Sequence, residues 1–234
     1  AADSSHWRLL SQCATPRLAA LSLALALAGY LVGIVGGQNM RIGDLDRGAP
    51  ELHPDSRYNK DNDYITRNYS TSSDVLVVMV ETRPETCFLY DNLALIDRFG
   101  WAMQNVPGVE SAVSLAEVAR LVTMGFNEGS LKWATLIRNQ RALDTTFGMV
   151  PPQLVNADCS LAPVALFLAD HKAETLDTVV KAVQSFAAQY ESDAIRFLLA
   201  AGNSGVEAAT NQEITKAQTQ ILILAYSVVA ALVF

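Results

Sequence analysis

The chain has 234 residues with 17 basic and 24 acidic side chains, which gives a net charge of −7. Half of the residues are hydrophobic and only 18% are charged, with a mean hydropathy of +0.19. This composition excludes a disordered chain, because disorder requires low hydrophobicity and many charges. The acidic balance excludes a nucleic-acid-binding protein, which needs clustered Lys and Arg. The low charged fraction indicates that part of the chain avoids water.

The first apolar run covers residues 18–37, LAALSLALALAGYLVGIVGG, and contains no charge. A helix of this length spans about 30 Å, the hydrocarbon thickness of a bilayer. We predict a transmembrane helix at 18–37 and a cytoplasmic segment at 1–17, which contains Cys13. A cleaved signal peptide is the alternative, but its apolar core has about 7–15 residues and ends in an A-x-A-like site.

The second apolar run covers residues 221–234, ILILAYSVVAALVF. A helix of this length rises about 21 Å, which is less than a full span. The sequence stops while it is still fully apolar and starts with Ala instead of Met, so we expect a fragment of a longer protein. Residues 221–234 are then a truncated second transmembrane helix. A C-terminal helix docked on the domain is the alternative.

Nearly all charges lie between the two runs, which hold 15 of the basic and 23 of the acidic residues. Such an acidic surface repels anionic lipid headgroups and tolerates neutral or cationic amphiphiles. The basic residues beside the first run do not orient it, because Arg8 and Arg17 precede the run and Arg41 and Arg47 follow it.

Two cysteines, Cys87 and Cys159, lie between the apolar runs. An even pair favours a disulfide in an oxidising compartment such as a bacterial periplasm. Closing so long a loop would contribute about 4 kcal/mol in the loop-entropy model. Two buried free thiols are the alternative.

Residues 38–73 are polar and rich in Gly, Pro and Asp, which favour turns. We name this segment the elbow, because it is predicted to lead from the membrane to a folded domain. Within it, a short helix is expected near residues 61–69.

A strand–helix–strand pattern occurs twice after the elbow. The first unit is predicted as a strand at 74–81, a helix at 91–106 and a strand at 109–115, and the second as a strand at 161–168, a helix at 173–190 and a strand at 194–200. The inner face of the first helix is predicted to hold Leu95, Phe99, Ala102, Met103 and Val106. The inner face of the second is predicted to hold Leu176, Val179, Val180, Val183, Phe186, Ala187 and Tyr190.

Two β-α-β units predict an α+β domain at 74–201 with a split β-α-β, ferredoxin-like sheet and its helices on one face. Residues 116–160 interrupt the units as a helical insertion, with helical periodicity at 117–124 and 131–143. Its predicted apolar contacts are Trp133, Leu136, Ile137 and Phe147. The insertion either packs on the sheet or forms a lid or partner surface.

Residues 202–220, GNSGVEAATNQEITKAQTQ, are expected to form a helix that continues into the second apolar run without a break. A rigid joint of this kind would couple movement of the domain to movement of the membrane helix. The predicted coupling-joint residues are Gly202, Asn203, Gly205, Ala208 and Asn211.

No catalytic, cofactor or metal motif occurs in the sequence. The histidines His6, His53 and His171 are far apart, and there is no zinc, calcium or ATP-binding spacing. We therefore predict no enzyme and no cofactor. The triplet Asp170-His171-Lys172 precedes a predicted helix and is expected to cap it; the alternative is a polar contact that titrates during a substrate cycle.

Several stretches resemble the start of transporters of the resistance–nodulation–division superfamily, and in particular the hydrophobe/MMPL-like predicted exporters of Gram-negative bacteria. The stretches that carry the resemblance are 43–45 through 55–56, 69–74, 90–93, 169–176, 202–206 and 208–211. Together with the flanking apolar runs, they extend the resemblance over nearly the whole chain.

The resemblance implies an inner-membrane exporter with twelve membrane helices, driven by protons that move through carboxylates on helices beyond this chain. It also implies that residues 74–201 are a periplasmic porter domain, which channels hydrophobic or lipid-like cargo together with a second porter domain. Porter domains of this superfamily exchange elements, so an isolated domain leaves a sheet edge uncovered. A homo-oligomer is one assembly that the resemblance allows.

Two other function classes fit the same order of elements. One is a two-helix membrane receptor with a periplasmic ligand-sensing domain, and the other is the extracytoplasmic domain of an ABC-type permease. A receptor should continue into a cytoplasmic signalling module, whereas a transporter should continue into further membrane helices.

Overall fold

The structure, a computed structural model, describes residues 15–37, 42–69 and 71–233. Most of the predicted N-terminal segment (1–14, including Cys13), part of the elbow (38–41 and Ser70) and Phe234 lie outside the described residues. The chain forms two compact units, one that ends at Arg41 and one that begins at Ile42.

The first unit contains one described helix, α1, which runs from Pro16 to Gly37. Its 22 residues rise about 33 Å. Pro16 is the first helical residue, a position where the missing N–H needs no partner. No side chain of α1 is buried, and the helix matches the predicted run with two further residues at its start.

The second unit contains an elbow helix, a four-stranded sheet with its helices, and a long terminal helix. In chain order its elements are α2 (Arg57–Asn68), β1 (Val75–Thr82), α3 (Tyr90–Gln104), β2 (Val109–Val113), α4 (Leu115–Phe126), α5 (Gln140–Phe147), β3 (Leu161–Leu168), α6 (Ala173–Tyr190), β4 (Ile195–Ala201) and α7 (Asn203–Val233), with 3₁₀ turns at Leu131–Trp133 and Pro152–Leu154.

The sheet has the strand order β2-β3-β1-β4, and each pair of neighbours is antiparallel. The two β-α-β units therefore interleave, since β3 lies between β1 and β2 and β1 lies between β3 and β4. In the central pair, Val78 is opposite Val164 and Val80 is opposite Ala162. This arrangement confirms a mixed α+β domain.

The core lies on one face of the sheet. Alternate residues of β1 and β3 are buried, as expected when one face of a strand packs on helices. The helices α3 and α6 supply the facing residues. Phe99 of α3, Phe186 of α6 and Phe197 of β4 form an aromatic cluster with ring centroids 4.9–5.3 Å apart. Each buried aromatic side chain contributes about 1.5–3 kcal/mol to stability.

The predicted β-α-β units are confirmed with small shifts at their ends. The bounds of β3 and α6 are those predicted, and the starts of β1 and β4 are one residue later than predicted. The strand β2 ends at Val113 instead of residue 115, because Ser114 caps α4 by accepting a hydrogen bond from the Glu117 N–H at 3.2 Å.

The predicted helix at 131–143 is wrong. The chain forms a 3₁₀ turn at Leu131–Trp133, and α5 begins only at Gln140, where the Asn139 side chain accepts a hydrogen bond from the Ala142 N–H. This start places Leu143 in the core, fully buried. Trp133 and Phe147 are instead exposed, although the Phe147 ring still contacts Phe88 at 4.8 Å.

Two further details differ from the sequence prediction: the buried face of α3 and the start of α2. The inner face of α3 includes Leu93 and Ile96, which the sequence analysis did not select, whereas Leu95 and Ala102 are only half-buried. The elbow helix α2 begins at Arg57, before the predicted residue 61, because Ser56 accepts a hydrogen bond from the Asn59 N–H.

The terminal helix α7 is continuous over 31 residues, a length of about 46 Å. The prediction of one unbroken helix through residues 203–233 is confirmed. Its buried residues, Ser204 and Ala208, lie near its start, and the apolar run from Ile221 onward is not buried.

Candidate functional site

A group of polar side chains lies where four segments meet at the start of α7. The elbow provides Asp44 and Arg47, the residue before β1 provides Asp74, the loop between β3 and α6 provides Asp170 and His171, and α7 provides Glu207 and Asn211. We name these seven residues the junction cluster. The end of the sheet that holds the start of β1 and the ends of β3 and β4 positions it.

His171 is the central group of the junction cluster and is only 7% exposed. Its Nδ1 lies 3.1 Å from Oδ1 of Asp74, and its Nε2 lies 3.5 Å from Oδ2 of Asp44. The imidazole is thus placed between two carboxylates from different segments of the chain.

The pKa of His171 is raised above its ordinary value. The hydrogen-bonding interaction with the Asp74 carboxylate is the largest cause, burial acts in the opposite direction, and the charges of Asp74, Glu207 and Asp44 add to the rise. A protonated imidazole is favoured wherever carboxylates surround it. The site therefore stabilises a positive charge on His171.

Glu207 on α7 interacts electrostatically with the same imidazole. Burial raises the pKa of Glu207, the charge of His171 lowers it, and Asp44 and Asp74 raise it further. Its Oε1 is buried without a hydrogen-bond partner among the described atoms. Glu207 lies on the extramembrane part of α7, fourteen residues before the apolar run begins at Ile221.

Asp170 organises the start of α6. Its Oδ2 pairs with Nε of Arg47 at 3.2 Å, and its Oδ1 accepts hydrogen bonds from Thr175 Oγ1 at 2.5 Å and from the Lys172 N–H at 3.3 Å. The N-cap of α6 is Lys172 and makes no side-chain cap hydrogen bond, so the capping predicted for the triplet 170–172 is not observed. A solvated helix start does not fit, because Asp170 and His171 are both buried.

The first coupling-joint residues connect α7 to β1. Gly202 has a φ of +84°, and a Cβ there would overlap the carbonyl oxygen of Val75, so this position requires glycine. The Asn203 side chain accepts a hydrogen bond from the Val75 N–H and donates one to the Ser73 carbonyl, both at 3.1 Å.

The remaining joint residues differ in their surroundings. Ala208 is buried in the core, and the Asn211 side chain occupies the space that a Cβ on Gly43 would need. A Cβ on Gly205 would meet no other atom within 4 Å, so this position makes no close contact. The sequence-predicted joint and triplet residues thus converge on one region, with Gly205 as the exception.

A cleft borders the junction cluster between the elbow and the end of β3. It encloses about 390 Å³ and is lined by Arg47, by Ala169 and by polar residues of the elbow and α2 such as Asn59 and Asp63. The polar side of α2 faces this cleft, whereas Tyr58 and Tyr64 of the same helix are exposed.

The two domain cysteines are brought together as predicted, at disulfide distance. The Cα atoms of Cys87 and Cys159 are 5.2 Å apart, and the Cys87 N–H donates to the Cys159 carbonyl at 3.0 Å. The pair joins the insertion to the segment before α3.

Asp44, Asp74 and Glu207 were not predicted as partners of His171, and Arg47 was not predicted as the partner of Asp170. Asp44 and Arg47 lie in the elbow, Asp74 directly precedes β1 and Glu207 lies near the start of α7. A charged residue at such positions has an ordinary capping or solvated interpretation. Only the fold shows that these separate segments meet. Within residues 15–37, 42–69 and 71–233, no group of His, Cys, Asp and Glu has an arrangement that suits a metal ion.

No protein-family model matches this chain, and no curated protein matches it.

Proposed function

We propose that this chain is the N-terminal part of a proton-driven membrane exporter of hydrophobic or amphiphilic compounds, and that its α/β domain is the periplasmic porter domain. The observation that carries the proposal is α7, one helix that starts in the junction cluster and continues into an apolar run. A rigid element of this kind can transmit movement between a soluble domain and a membrane.

Among the described residues, two helices are long and apolar enough to cross a bilayer. The side chains of the apolar part of α7 are exposed, for example Ile221 at 61% and Leu232 at 82%. A helix that is hydrophobic on all sides is stable only inside a protein or a membrane. Lipid is the environment that we propose for both α1 and residues 221–233.

The sheet order supports a ferredoxin-like porter domain. In that fold two β-α-β units interleave in one antiparallel sheet with their helices on one face, and the order β2-β3-β1-β4 fits this scheme. The strands β2 and β4 form the edges. We propose that a second porter domain of the same transporter, or of a second copy, packs beside this one.

In this proposal, the pairing of the cysteines indicates on which side of the membrane the domain lies. A disulfide between Cys87 and Cys159 would persist in the periplasm and would be reduced in the cytosol. The predicted inner-membrane location with the domain in the periplasm therefore agrees with the distance between these residues.

Proton coupling would depend on other helices of the transporter. Residues 18–37 and 221–233 contain no Asp, Glu, Lys or Arg. Because intramembrane ionisable residues mark proton pathways, the proposal assigns the proton-relay carboxylates to membrane helices outside these two.

The test is an accumulation assay with the full-length parent protein, using the apolar dye Nile red in cells that do or do not express it. The proposal predicts lower dye accumulation in expressing cells and loss of this difference when a protonophore collapses the gradient. A difference that survives the protonophore but needs ATP would favour the permease. No difference for Nile red and for a cationic amphiphilic dye would contradict export and favour the receptor.

A further inference from the structure

We infer that His171, Asp74, Asp44 and Glu207 form an extracytoplasmic proton-binding site, and that the bound proton holds the elbow and α7 against the domain. The site lies in the domain itself and is separate from any proton path inside the membrane. The binding of the proton does not depend on the proposed export function, whereas an effect on transport would rest on it.

Both carboxylates lie within ion-pair distance of the imidazole, although the geometry at Nδ1 is not that of a hydrogen bond. Nδ1 faces a carboxylate oxygen of Asp74 at 3.1 Å, and Nε2 faces a carboxylate oxygen of Asp44 at 3.5 Å. An ionised carboxylate only accepts hydrogen bonds, and a neutral imidazole carries a proton on one nitrogen only. Both contacts are therefore favourable at the same time only when His171 is protonated.

Every segment that packs around His171 contributes a charged group. Asp44 comes from the elbow, Asp74 from the residue before β1, and Glu207 from α7. In its own loop, Asp170 is already paired with Arg47, and the Lys172 N–H donates to Asp170. Asp44 and Asp74 thus lie within 3.5 Å of one imidazole and Glu207 adds its charge, so a proton on that ring balances part of the negative charge.

Loss of the proton removes the attraction at the weaker contact. The contact with Asp44 is the longer of the two, and Asp44 is the more exposed carboxylate. After loss of the proton, a lone pair on Nε2 would face this carboxylate and the contact would open. The elbow would then keep two attachments near the start of α6, the hydrogen bond from the Ala173 N–H to the Asp44 carbonyl and the ion pair between Arg47 and Asp170. Gly43, the residue before Asp44, packs against Asn211 of α7, so this movement would loosen the elbow from α7.

The electrostatics of the cluster support this function. The Asp74 carboxylate raises the pKa of His171, and burial raises the pKa of Glu207. Interacting groups of this kind titrate as a unit. The cluster is therefore expected to hold its proton above the pH at which an isolated histidine releases it, which is about 6.5.

The first measurement is a pH titration of the His171 ring. Nitrogen NMR monitors the ring in the full chain, labelled with ¹⁵N-histidine and held in lipid nanodiscs, from about pH 5 to about pH 9. His171→Gln assigns the signal. The inference predicts a titration midpoint above the ordinary value, and a lower midpoint in Asp74→Asn. His53→Gln is the matched control and leaves the midpoint unchanged. A midpoint at or below the ordinary value would overturn the inference.

The second measurement is the distance between the elbow and α7. Spin labels are attached at Leu52→Cys and Thr210→Cys, both exposed positions, in a Cys13→Ser background. One narrow distance distribution is expected while His171 is protonated and a broader one after it loses its proton, with the transition shifted to lower pH in Asp74→Asn. A distribution that stays constant through the titration of His171 would contradict the inferred role of the proton in holding the elbow.

These results separate the inference from the proposed function. If the site binds a proton and the elbow is released without it, but no dye is exported, the proton site is supported and the exporter is contradicted. Export with an elbow distance that does not depend on the proton would support the exporter and contradict the role of the proton in holding the elbow. If His171→Gln does not fold, Asp74→Asn still tests both measurements, because it keeps the shape of the side chain, removes its charge and replaces one acceptor oxygen by an NH₂ group.

Discussion

The side-chain oxygen of Asn203 accepts a hydrogen bond from the backbone N–H of Val75 at 3.1 Å, although the two residues are 128 positions apart. The same amide donates to the Ser73 carbonyl at 3.1 Å. One side chain at the start of α7 therefore satisfies two backbone groups at the start of β1. This pair of bonds fixes the terminal helix to the sheet.

Replacement of Asn203 by Ala should weaken this attachment. We expect Asn203→Ala to lower the free energy of unfolding by about 1–2 kcal/mol, because two hydrogen bonds are lost at an exposed site. Thermal unfolding of the chain in detergent measures the effect. Asn68→Ala, at the exposed end of α2, is the control and should change stability by less than about 0.5 kcal/mol.

The two glycines near the start of α7 should respond to alanine in opposite directions. Gly202→Ala forces a side chain into a positive φ and against the Val75 carbonyl, so we expect a loss of more than about 1 kcal/mol. Gly205 is helical and has free space around it, so Gly205→Ala should stabilise the chain by up to about 1 kcal/mol. Equal effects of the two substitutions in unfolding experiments would contradict the described junction.

Stability should fall as pH rises through the titration of His171. Because the folded-state pKa of His171 is raised, its contribution is fully present below about pH 6.5 and is lost as pH passes the raised value. We expect a loss of about 1.5–3 kcal/mol, the range for hydrogen bonds to charged groups. Melting temperatures measured across this range should decline in the unchanged chain and in His53→Gln. A decline of the same size in His171→Gln would refute this assignment.

Loss of the bond between Cys87 and Cys159 should destabilise the domain strongly. The pair closes a loop across 72 positions, for which the loop-entropy model gives about 4 kcal/mol. Cys87→Ser with Cys159→Ser should therefore unfold at a clearly lower temperature. Reductant should have the same effect on the unchanged chain and none on the double variant, which separates loss of the bond from loss of the side chains.

The sequence predicts the elements of this fold better than it predicts the junction cluster. The alternation in β1 and β3 and the helical periodicity of α6 are strong local signals, because one face of each element is buried along its whole length. The helix predicted at 131–143 is wrong because its periodicity did not reveal the cap at Asn139, which moves the start of α5 to Gln140.

The partners of His171 could not be found by local pattern. Asp44, Asp74 and Glu207 are 127, 97 and 36 positions away from it, and no spacing rule relates them. Their proximity depends on the antiparallel register of β1 with β3 and on the direction in which α7 leaves β4. Sequence analysis selected His171 and the α7 residues separately, and only the fold joins them in one site.

The central claim is that the chain crosses a membrane at α1 and again at α7 and holds its α/β domain on the periplasmic side. Labelling of Lys60→Cys with a membrane-impermeant maleimide tests it most directly, in the full-length protein with Cys13→Ser, because Lys60 is exposed on α2. We predict that the label reacts in intact spheroplasts to the same extent as after lysis. Labelling only after lysis, or recovery of the protein in the soluble fraction without detergent, would contradict the account.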